Sequence, residues 1–226
     1  MSALPLAALG FLIGFPLARI VASYADGGVV RTGSPWNTRS AQGAAIPVVL
    51  AALFGVVGSG VGVGHTGSAA HLAVTLCEVT VLVAVMFVDL RARLVPTDLV
   101  ATLVALAFAD AAFWSGLGVG RAAIGGAVGF AIFLALIALA RLVFGDGALG
   151  LGDATLALAI GCVTGYPLVA FTLCMGVLFG ALGAAVILLG SVVLRRADVG
   201  LHTTIPYAPF LMVGVFYVLA GLRFPF

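Results

Sequence analysis

The sequence predicts an all-α fold, a polytopic transmembrane helical bundle of about eight spans with both termini outside. Three observations carry that expectation. Of the 226 residues, 63% are hydrophobic and 8% are charged, and the mean hydropathy is +1.30. A soluble domain is about 45–50% apolar and about 25% charged. So few charges cannot clothe a water-facing surface, and a soluble enzyme is excluded. The apolar residues also gather into windows near the roughly 20 residues a helix needs to cross a bilayer. Finally, the ten basic residues, all arginine, fall unevenly between alternate loops.

The windows run over about 3–23, 45–63, 71–90, 98–116, 122–144, 153–166, 168–194 and 207–223. The first is not built like a secretory signal, because Met1 to Ala18 is uncharged and Arg19 follows the apolar run. It is expected to remain as a span. Residues 24–43, the longest polar stretch, form a short cytoplasmic loop before the second window. The sixth window is short, and only Tyr166-Pro167 parts it from the seventh, which predicts a tight hairpin. No internal repeat is visible, so residues 1–226 are expected to form a single integral-membrane domain.

Orientation follows from the arginines. With the N-terminus outside, Arg19, Arg31, Arg39, Arg91, Arg93, Arg141, Arg195 and Arg196 lie inside, against Arg121 and Arg223 outside. The net charge of +2 is too small and scattered for a nucleic-acid partner. Cys77, Cys162 and Cys174 sit inside apolar runs and are expected to act as small hydrophobes, with no disulfide or zinc site. The pairs Gly10/Gly14 and Gly176/Gly180 are spaced for close helix packing. Gly58–Gly64 and Gly116–Gly120 look superficially like nucleotide loops, but no strand precedes either.

The chemistry rests with the acids. An aspartate inside the bilayer costs ~2.5–3.5 kcal/mol on insertion scales and so marks a functional candidate. Asp26 and Asp198 lie in loops and carry no such weight. Asp89 closes the third span and Asp153 opens the sixth, 64 residues later, both at the cytoplasmic mouth in this topology. Two carboxylates at one depth on different helices can meet. Each also has an ordinary explanation: Asp153 as a helix cap, Asp89 as a partner for Arg91 or Arg93. Glu78 lies three turns before Asp89 on the same face of the third span and is expected to bond a neighbouring helix. Asp110 is expected to be a polar packing contact. His65 and His71 are placed in an outer loop and His202 in a cytoplasmic one.

The stretch from Asp89 to Asp98, an Asp followed seven residues later by Pro96, resembles the first aspartate motif of type IV prepilin peptidases. Gly150-Leu151-Gly152-Asp153 resembles the Gly-x-Gly-Asp signature of the same membrane aspartyl proteases. Ile205-Pro206-Tyr207-Ala208-Pro209-Phe210-Leu211 is similar to the Pro-Phe-Gly-Pro-Phe segment that opens their last helix, and Gly10 to Phe15 echoes their first span. The four matches fall in the family's order over nearly the whole chain.

The resemblance implies an aspartyl endopeptidase of the bacterial cytoplasmic (inner) membrane. Asp89 and Asp153 would be catalytic, sharing one proton: one carboxylate activates water while the other polarises the scissile carbonyl. Gly150 and Gly152 would admit an extended substrate backbone, and Pro96, Pro206 and Pro209 would shape the site's surroundings. No metal or cofactor is implied. The implied partners are membrane lipid and a prepilin or pseudopilin precursor, cut between a basic leader and an apolar helix. Two departures stand out. Thr155 occupies the place of the family's usual Lys. Residues 24–43 also lack the paired CxxC insert of the larger members, so N-methyltransferase activity is not expected. Two other functions compete. Glu78, Asp89, Asp110 and Asp153 would suit the relay of a proton-coupled transporter, and Thr155 would suit a catalytically weak scaffold of a pilus or secretion system.

Overall fold

The computed structural model describes residues 3–25, 41–63, 68–144, 150–193 and 208–220. These form eight α-helices with no strand among them: α1 (Ala3–Ala25), α2 (Ala41–Val63), α3 (Ala69–Ala92), α4 (Thr97–Phe113), α5 (Val119–Phe144), α6 (Leu151–Thr164), α7 (Leu168–Val193) and α8 (Ala208–Leu219). One helix falls on each apolar window, with ends shifted by a few residues. Helices are the natural outcome for such segments, because each satisfies its backbone polar groups internally and needs no water. The helices at Ala3–Tyr24, Ala69–Ala92 and Val119–Leu142 are long and apolar enough to cross a membrane. Bulky apolar side chains such as Leu4, Leu12, Leu142 and Val186 point outward, as lipid-facing residues do.

Local chemistry sets the helix ends near the acids. Ser68 caps α3 by accepting the His71 N–H at 3.1 Å, and α3 stops where Arg93 turns left-handed at φ 53°. Pro96, with φ −68°, precedes the first turn of α4. At the start of α6 the Asp153 N–H donates to the Gly150 carbonyl (3.1 Å), while Asp153 Oδ2 accepts the Gly150 N–H (3.2 Å). That reciprocal pair satisfies two donors a helix start would leave open.

α3 lies at the centre. One face packs with α1 and α2 through Val21, Leu50, Phe54, Val83 and Phe87. Its other face packs on α4 and α8, where Leu82, Val85, Leu103 and Leu211 share one core with Leu156 of α6. The tightest seam joins α5 and α6. Gly125 and Gly161 each face the other's carbonyl oxygen, Gly129 faces the Ala157 carbonyl, and a Cβ on Gly126 would lie 2.6 Å from Cys162 Sγ. Glycines also seat α1 on α2, where Gly10 meets the Leu50 carbonyl and Gly14 meets Pro47. Gly176 lies against Leu211 of α8. Gly10, Gly14 and Gly176 thus pack as their spacing predicts.

The contacts define two ends of the bundle. At one end stand Tyr24, whose hydroxyl donates to Asp98, together with Asp89, Val95, the start of α6 and the start of α8. At the opposite end the Tyr166 N–H donates to the Arg121 carbonyl at 3.1 Å, and Leu117 packs against Gly165. His71 lies at this second end, in the first turn of α3 and not in a loop as its sequence position suggested. Ser68 starts the helix two residues earlier than the hydropathy does. His71 Nδ1 stands 2.7 Å from Asp110 Oδ1 near the end of α4, so Asp110 does make a polar interhelical contact. His65 and His202 lie outside the described residues. Replacing Asp110 by Ala strands the largely buried imidazole, and stability should fall by ~1–3 kcal/mol. The thermal midpoint of the detergent-solubilised protein reads that loss.

Candidate active site

Asp89 occupies the last turn of α3 and is 5% exposed. Its Oδ2 accepts the backbone N–H of Ala208, the first residue of α8, at 3.1 Å. Asp153, the third residue of α6, is partly buried and is held through Oδ2 by its own helix cap. The structure brings the two aspartates to the same end of the bundle, Asp89 against the start of α8 and Asp153 at the start of α6. The positive N-terminal ends of α6 and α8 both meet carboxylates here.

The connection between α3 and α4 fixes this arrangement. Val95 packs on Gly152, and a Cβ on Gly152 would lie 3.2 Å from Val95 Cβ. Pro96 is buried beside it at the start of α4. The open side of Gly152 is therefore filled by the protein's own loop. Gly150 is exposed, and among the described residues a Cβ there would meet only Asp153 Oδ2 and the Gly152 nitrogen, both at 3.8 Å. Of the two glycines, Gly150 leaves room for an approaching chain. Pro209 is the second residue of α8 and partly buried; Pro206 lies outside the described residues. Thr155 Oγ1 donates to the Gly152 carbonyl at 2.8 Å, so its hydroxyl braces the first turn of α6. Gly152→Val forces the α3–α4 connection off α6 at a cost of ~1–3 kcal/mol. Both the thermal midpoint and any activity at the aspartates should drop.

Two partners here were invisible in the sequence. The Ala208 N–H is a backbone group, to which residue type is blind. Tyr24 reaches Asp98 across 74 positions, and nothing in its local pattern marks it. Glu78 is 2% exposed and makes no hydrogen bond among the described residues, so the expected interhelical bond is absent. It lies 11 residues before Asp89 on α3, away from the Asp89 end. Among the described residues no three His, Cys, Asp or Glu side chains gather as a metal would need.

No curated protein and no solved structure matches the chain. A sequence profile of the type IV leader peptidase family does match, over residues 76–188, which is half the chain and contains both Asp89 and Asp153. The chain belongs to the type IV leader peptidase family.

Proposed function

We propose that this protein is a membrane-embedded aspartyl endopeptidase that removes the basic leader from prepilin-like precursors at the cytoplasmic face of a bacterial inner membrane. The observation that carries the reading is the placement of Asp89 and Asp153 at the same end of the bundle, Asp89 against the N-terminus of α8 and Asp153 in the first turn of α6. Two like-charged carboxyls in a partly buried site titrate as a pair and hold one proton between them. The ionised member takes a proton from water as that water attacks the scissile carbonyl. The protonated member donates to the carbonyl oxygen, and the tetrahedral adduct collapses as the leaving amine is protonated.

Topology supports a cytoplasmic site. Among the described arginines, Arg19, Arg91, Arg93 and Arg141 lie toward the Asp89 end, and Arg121 at the other. The positive-inside bias orients the Asp89 end toward the cytoplasm. Eight spans, one domain over residues 1–226 and termini on the outer side complete the picture. The short 24–43 connection carries no cysteine and fits cleavage without N-methylation. A substrate with a cytosolic leader and an apolar helix would present its junction at this depth, with Gly150 on the open side.

The acids do not favour a relay across the membrane. Asp89 and Asp153 cluster at one end, and Asp110 pairs with His71 at the other. Glu78, 11 residues before Asp89, is separated from it by about 16 Å of helical rise. The test in cells is to follow a pilin-like precursor in a strain whose only leader peptidase is Asp153→Ala. Unprocessed precursor should accumulate, and normal processing would overturn the reading.

A further inference from the structure

We propose that the backbone N–H of Ala208 is a positioning group for Asp89, so that leader cleavage depends on α8 being docked against the end of α3. The proposal rests on the aspartyl-dyad reading and adds to it a third helix, one that contributes no side chain to the chemistry.

The two aspartates are held in different ways. Asp153 takes its N–H from Gly150, within its own helix cap, so its orientation is settled locally when α6 forms. Asp89 accepts an N–H from Ala208, 119 positions away, a donor that only tertiary packing can supply. Asp89 sits in the last turn of α3, where the free groups are carbonyls and the helix dipole is negative. Its backbone oxygen already accepts the Arg93 N–H at 2.8 Å. A carboxylate at a helix C-terminus is ill-placed. The start of α8 supplies what α3 lacks, a fixed backbone donor and the positive end of a helix.

A donor tunes a catalytic group only if it is rigidly placed, and α8 meets that condition. Ala208, Leu211, Met212 and Val215 are fully buried. Gly176 of α7 rests on Leu211, and Gly214 of α8 rests against the Thr172 carbonyl, leaving no room for a Cβ on either glycine. The donor and Asp89 are also both shielded from water, at 0% and 5% exposure, so the bond has little competition. A seam of small residues between α7 and α8 therefore sets the position of the donor at the start of α8.

The experiment replaces Ala208 by lactic acid, which turns the amide into an ester and deletes the N–H without adding bulk. The purified full chain is reconstituted in liposomes with a synthetic peptide of basic leader, glycine and apolar helix. The expected kcat falls about 10–100-fold, the effect of losing one charge-assisted donor, while KM holds and the protein stays folded with a thermal midpoint lowered by the loss of one buried hydrogen bond. Ala208→Pro is the genetically encoded but bulkier version: it lacks the donor and sets its Cδ against Asp89 Oδ2, so it should lose at least as much kcat as the ester. Ala69→Pro is its control at the start of α3, where Ser68 is already extended (φ −77°, ψ 133°) as a residue before proline must be. It should retain wild-type kcat. If the ester keeps kcat within twofold of wild type while Asp89→Asn is inactive, the positioning role is overturned and the dyad stands. A rise in KM with kcat retained also overturns it, making α8 a substrate contact. If Asp89→Asn itself cleaves normally, the dyad reading fails first.

Discussion

Asp89→Asn and Asp153→Asn are each expected to slow leader cleavage by about 10³–10⁴-fold, and the double variant should be no slower than the worse single one. Residues that act as a unit are strongly non-additive, because losing either one removes the shared step. Asparagine is the informative replacement. It keeps the size of aspartate and an oxygen able to accept the Ala208 or Gly150 N–H, so the hydrogen bonds that seat the two side chains survive. What it loses is the capacity to take or hold the proton. Two independent structural carboxylates would instead give small, additive losses that track stability. Cleavage rates measured beside thermal midpoints separate the two cases: rate lost with fold retained marks chemistry, and both lost together marks structure.

The second large effect is on folding. Gly161→Leu, or its counterpart Gly125→Leu, places a side chain where the partner helix has its backbone carbonyl. A side chain can swing away from an intruder; a carbonyl in an intact helix cannot. Overpacking commonly costs ~1–3 kcal/mol, and a clash with backbone lies at or above the top of that range. Helices α5 and α6 must then separate along the seam that also includes Gly126 and Gly129. Asp153 rides on α6 two turns before Gly161, so its register with Asp89 goes too. Gly161→Leu is expected to yield little folded protein on size-exclusion chromatography and no cleavage. Gly120→Leu is the matched control, for among the described residues nothing lies within 4 Å of a Cβ at that exposed position on α5. It should fold and retain wild-type stability.

How far the sequence reveals this molecule depends on what each feature is made of. Length and hydropathy decide which segments are helices, and every apolar window became one. In lipid the choice is nearly forced, since an uncharged stretch has no other way to satisfy its backbone. The two aspartates stood out for a related reason: ionisable groups are so costly in apolar spans that the few present draw notice. Spacing was less reliable for packing. Gly10/Gly14 and Gly176 sit at close contacts, yet the tightest seam, Gly125 and Gly129 against Ala157 and Gly161, went unremarked in a chain with 31 glycines. Small residues say that a helix can approach closely, not which helix it will meet. His71 was misplaced because hydropathy ends a span at its first polar residue, whereas the Ser68 cap begins the helix before it. The Ala208 N–H and the Tyr24–Asp98 pair were beyond reach, one because it is backbone and the other because only tertiary packing joins its halves.

Cleavage of a defined peptide by the purified protein is the most direct test of the central claim. The chain is reconstituted in liposomes, a prepilin-like peptide with a basic leader and an apolar helix is added, and the products are identified by mass. Wild type is expected to cut once, at the junction of leader and helix, and Asp89→Asn and Asp153→Asn are expected to leave the peptide intact. Cleavage that persists in either variant, or a folded wild type that cuts none of several such peptides, would contradict the account.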